Sequence, residues 1–69
     1  MKSEIIVLVE ELMQGGHEAR ALGYSIFTEA NSLKDLKENV RDAVLCHFEE
    51  KHIPRCIRLH FVKDEFISV

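Results

Sequence analysis

The chain has 69 residues, 46% of them hydrophobic and 30% charged, with a formal net charge of −3. That is room for one small domain over residues 1–69, and it excludes both a disordered chain and a two-domain cofactor enzyme. The negative balance lacks the basic footprint of a nucleic-acid binder and favours a basic partner. A core of this size removes only ~60% of the unfolded chain's surface from water, so self-association or a partner is expected. Cys46 and Cys56 are too few for a disulfide framework. The first apolar run, Ile5-Ile6-Val7-Leu8-Val9, is too short for a secretory leader and far short of the ~20 residues of a membrane span. A cytoplasmic location is expected.

The same run is β-branched, bounded by charges and non-alternating, which predicts a strand apolar on both sides. Such a strand belongs in the interior of a sheet, with a helix on one face and room for a second subunit on the other. Gln14-Gly15-Gly16 marks a turn, because glycine reaches positive φ without steric cost. A weaker strand follows over 17–22, Gly23 breaks it, and a third is expected over 24–29. Short turns between consecutive strands make an antiparallel meander.

Ser32 has the position and chemistry of a helix N-cap, with Asp35 three residues on. Leu33, Leu36, Val40, Ala43, Val44, His47 and Phe48 recur at three- and four-residue spacing, a single apolar stripe. The helix is expected to run to Lys51-His52, ahead of Pro54, which cannot continue it. The segment 56–62 alternates, with Ile57, Leu59 and Phe61 on the side facing the helix and Arg58 and His60 opposite. Residues 63–69 either extend this strand through a bulge or turn back as a short edge strand. The order β-β-β-α-β predicts an α+β fold, one helix on a four-stranded mixed sheet in the order 3-2-1-4. In it the last strand lies parallel to the first through a crossover.

Cys46, His47, His52, Cys56 and His60 are all zinc-ligand types within fifteen residues. Their spacing opposes a shared metal. Cys56 and His60 sit roughly 13 Å apart on a strand, and Cys46 and His47 diverge by about 100° on a helix. No glycine-rich elbow or oxyanion loop accompanies a nucleophile, so no catalytic residue, metal or cofactor is assigned and a non-enzymatic protein is expected. Asp35, Glu38, Asp42, Leu45 and Glu49 form a second helical stripe, half a turn from the apolar one. An ordinary solvated face explains the carboxylates. As a docking surface for a basic protein, the same stripe would use Leu45 as its apolar anchor. Lys34, Lys37 and Arg41 form a strip close enough to Glu38 and Asp42 to be neutralised locally. Arg58, His60 and Val62, on the sheet side away from the helix, are candidates for a homodimer interface.

Gly15-Gly16, then Ala19-Arg20-Ala21, then the segment from Phe27 through Thr28-Glu29-Ala30-Asn31-Ser32 to Leu33-Lys34-Asp35-Leu36, resemble the HicB-like antitoxin domain over nearly the whole chain. His17 stands where that family has an aromatic residue, and Ala30-Asn31-Ser32 replaces its Gly-Asp-Thr. The resemblance implies a non-enzymatic inhibitor that covers a small basic HicA-like RNA-cleaving toxin. Members often carry a further DNA-binding segment after the last strand. With none after Val69, direct binding of DNA or RNA is not expected, and a homo-oligomer without membrane attachment is.

Overall fold

The computed structural model describes residues 3–69. The apolar run lies in β1 (Glu4–Glu11), followed by β2 (His17–Ala21), β3 (Phe27–Ala30), the helix α1 (Leu33–His47) and β4 (Cys56–Val62). The sheet order is β3-β2-β1-β4, with β1–β2 and β2–β3 antiparallel and β1–β4 parallel. This is the expected α+β architecture. The most apolar strand takes a central place, paired antiparallel with β2 on one side and parallel with β4 on the other.

The turn after β1 closes through Gly15 N–H donating to Leu12 carbonyl at 3.0 Å and Leu12 N–H donating to Gly16 carbonyl at 2.9 Å. Gly16 has φ +90°, and a Cβ there would stand 3.1 Å from the Ala30 carbonyl oxygen of β3. Only glycine lets the backbones come this close. Because this turn sets the β1–β2 register, it also decides which side chains face the helix.

Side chains opposed in a strand pair share a face, so the register sorts the sheet completely. Ile5, Val7 and Val9 of β1, and Ala19 and Ala21 of β2, are buried together with Leu36, Val40 and Val44 of the helix. Ile57 and Leu59 of β4 pack against this core from its side. Phe61 shares their face but is 54% exposed, contrary to the alternation pattern. The helix backbone approaches β3 and β2 more closely than β4, so the far end of β4 extends past its cover.

The helix starts where the cap predicts: Ser32 Oγ accepts a hydrogen bond from Asp35 N–H at 3.1 Å. Asn39 Nδ2 donates to the Glu29 carbonyl of β3 at 3.4 Å, fastening the second turn to the sheet. The helix ends earlier than its apolar stripe suggests. Phe48 turns into extended backbone, φ −101° and ψ 146°, while its N–H still donates to Val44 carbonyl. Tyr24, His47 and Phe48 meet edge to face at ring separations of 4.9 to 5.8 Å. This contact takes Phe48 out of helical geometry and holds the β2–β3 connection against the helix end. Glu50–His52 then form a separate 3-10 turn. The third strand is also shorter than expected. Residues 24–26 belong to its connection, where Ala21 N–H donates to Ile26 carbonyl and Ile26 itself is buried.

Candidate functional site

Two surfaces gather the candidate residues, one on the helix and one on the open face of the sheet. On α1, Asp35, Glu38, Asp42 and Leu45 are all exposed and fall on the side opposite Leu36, Val40 and Val44. Leu45 is 44% exposed, a large apolar side chain with no intramolecular neighbour that requires it there. Glu49 lies beyond the helix end and caps the 3-10 turn, within 3.7 Å of His52. The stripe is therefore three carboxylates and a leucine on the helix, with a fourth carboxylate displaced off its axis.

The basic strip does not neutralise it by contact. Among the described residues the ion pairs within 4.0 Å are His52–Glu49 and Arg58–Glu4. Lys34, Lys37 and Arg41 are exposed and make no ion pair with Glu38 or Asp42, because a lysine or arginine on a solvated helix keeps its rotamer freedom at little electrostatic loss. The carboxylates stay available.

The second surface is the sheet face away from the helix. Ile6 and Leu8 of β1 point there and are half-buried, with no helix over them. Two cross-strand rows flank them. One reads Phe27, Arg20, Leu8, His60, and the other Glu29, Glu18, Glu10, Val62. Arg58 grips Glu4 with a two-pronged bond, Nε to Oε1 at 3.1 Å and Nη2 to Oε2 at 3.3 Å. His60 and Arg58 are exposed, and Val62 is half-buried beside Glu10.

The three opposed carboxylates are the feature that sequence reading alone does not reach. Glu10, Glu18 and Glu29 lie on three different strands, and only the register aligns them. The signal was in the turn, since Gly15-Gly16 sets which residues oppose. Like charges directly across a sheet repel, so this row favours a cationic neighbour from outside the chain.

No polar or charged side chain is buried among the described residues, and no group of three or more His, Cys, Asp or Glu is placed to hold a metal ion. Cys46 and Cys56 are separate, exposed thiols. His47, expected at the core edge, is exposed and stacks in the aromatic trio. A cleft of about 530 Å³ lies between the turn after β1 and the segment after β4, lined by Leu12, Met13, His17, Phe61 and Phe66 among others. Among the described residues, no helix is long and apolar enough to cross a membrane. What the arrangement offers chemically is surface recognition: charge rows, exposed apolar anchors and open strand edges.

The chain is 61% identical over 51 residues to a UPF0150 protein of Archaeoglobus fulgidus, covering 74% of this chain and 76% of that protein. It is 38% identical over 68 residues to a UPF0150 protein of Thermotoga maritima, covering 99% of this chain and 96% of that protein. No family model matches the chain. No solved structure matches it either.

Proposed function

The chain belongs to the UPF0150 family, and from that premise we propose that it is a non-enzymatic antitoxin of the HicB-like type. In this reading it binds and neutralises a small basic HicA-like toxin that cleaves RNA. The observation that carries the proposal is the helix face on which exposed Leu45 stands among Asp35, Glu38 and Asp42, carboxylates that make no ion pair among the described residues. An acidic rim around an apolar anchor steers a basic protein on encounter, and the desolvated anchor supplies most of the affinity. Glu49 extends the rim past the helix end. The segment leading into the helix, Phe27 to Leu36, supports the same reading through its resemblance to the HicB-like domain.

The test is co-expression with a small basic HicA-like toxin from the same source. Relief of its growth arrest, lost in Leu45→Asp, is the expected result. Arrest that persists with the unmodified chain present contradicts the proposal.

A second reading, a homo-oligomeric interaction module without a toxin, is favoured by the open sheet face. There Ile6 and Leu8 lack cover, and Arg58, His60 and Val62 would line the contact. The two readings are compatible on one molecule, because the helix stripe and the open face lie on opposite sides.

A further inference from the structure

β1 and β4 stay parallel as far as the Glu10–Val62 pair, and there their chains part. β1 carries on beside β2 to the Glu11–His17 pair and turns back through Gly15 and Gly16. The segment 63–69, which the alternation pattern leaves between a strand extension and a return, does neither: it carries no turn or bend and pairs with no strand. Parallel strands whose chains leave in different directions open a crevice at their carboxyl ends, where open sheets commonly hold ligands. The cleft of about 530 Å³ between Met13 and Phe66 is that crevice. Its apolar lining is unusually wet. Phe61, Phe66 and Met13 are 54%, 87% and 97% exposed, and large apolar side chains gathered in water mark a contact surface. Its charged lining is Glu10, Glu11, Lys63 and Asp64, three acids to one base. None of the four makes an ion pair within 4.0 Å among the described residues. From Glu10, the opposed Glu18 and Glu29 carry the negative charge on across the open sheet face.

We propose that this cleft takes a basic segment of a partner protein. One aliphatic or aromatic side chain of the segment enters between Met13, Phe61 and Phe66, and flanking lysines or arginines meet the acids around it. Small ligands bind where most of their surface is enclosed. Here two of the walls, Met13 and Phe66, stand almost wholly in water, so the cleft suits a chain segment that brings its own cover. The acids select the sign of that segment, because a charged rim meets its opposite and repels its like. Glu10 and Glu11 are consecutive on β1 and point to opposite faces of the sheet, so bases on both sides of the anchor find a carboxylate. Met13 has a flexible, polarizable side chain that fits an aliphatic or an aromatic anchor equally well. This site shares no residue with the helix face of the reading above, and its partner need not be a toxin.

Selection of short random peptides from a display library on the full-length chain tests this. The binders are expected to share one aliphatic or aromatic residue flanked by Lys or Arg, and to lose affinity as salt rises. Phe66→Ala, on an exposed segment where folding is not at stake, should weaken them about tenfold or more. Glu11→Lys combined with Asp64→Lys, both at exposed positions, should weaken them comparably. The same peptides resynthesised with Glu in place of Lys and Arg should then bind this doubly substituted chain more tightly than the parent. A damaged fold cannot produce that reversal. Binders without basic residues, no binders at all, or basic binders that both variants hold as tightly as the parent overturn the proposal. No toxin enters the assay, so its result is independent of whether one is neutralised.

Discussion

Ile5 and Ile6 are neighbours on β1 with the same side chain, and they occupy opposite environments. Ile5, with Val7 and Val9, is 1% exposed beneath the helix, while Ile6, with Leu8, is half-buried on the face away from the helix, where no second layer lies among the described residues. The helix-side face is built for stability, from apolar side chains of both layers, with His17 Nδ1 buried at its edge without a hydrogen-bond partner among the described residues. The open face mixes apolar, acidic and basic rows and contributes recognition chemistry. A small domain that spent both faces on its own core would have no such surface left. This one leaves alternate side chains of its central strand outside the helix-side core.

Substitutions on the two faces can break that contrast. Ile5→Ala is expected to have the largest effect, a loss of about 2–5 kcal/mol in urea unfolding, because the cavity lies under the helix and cannot collapse freely. Gly16→Ala should cost about 1–3 kcal/mol, through positive φ and the close Ala30 carbonyl. Thermal unfolding read at equal protein concentration would show it, and an unchanged midpoint would mean that the turn does not hold the register. Ser32→Ala should remove about 1 kcal/mol by leaving the Asp35 N–H without its acceptor. The matched substitution Ile6→Ala should cost less, about 1–2 kcal/mol when measured on dissociated chain, because its half-buried side chain keeps part of its surface in water. If Ile5→Ala and Ile6→Ala destabilise equally, the two faces are not distinct. Arg58→Ala should have the smallest effect, below about 1 kcal/mol, since its pair with Glu4 is partly solvated. High salt should shrink that difference further.

Much of this contrast is readable in the residues themselves. The non-alternating run at 5–9 places β1 in the middle, and the Ser32 cap and the leucine–valine spacing place the helix. With the crossover rule these arrive at the observed strand order. The features that escape are those decided by distant partners. Phe48 continues the helical spacing, yet the ring of Tyr24, twenty-four residues earlier, draws it out of the helix. Phe61 alternates correctly, yet the helix leans toward β3 and leaves it uncovered. The Glu10–Glu18–Glu29 row appears only once two registers are known. Asp35, Glu38, Asp42 and Leu45 share a helix face on spacing alone, whereas Glu49 leaves it because the helix stops short.

The proposed activity is tested most directly by titrating this protein into the RNA-cleavage reaction of a small basic HicA-like toxin from the same source. Cleavage should fall in proportion to added protein and stop near stoichiometric equivalence, with Leu45→Asp displaced to much higher concentration. Undiminished cleavage at a large excess of the folded, unmodified chain would contradict the account.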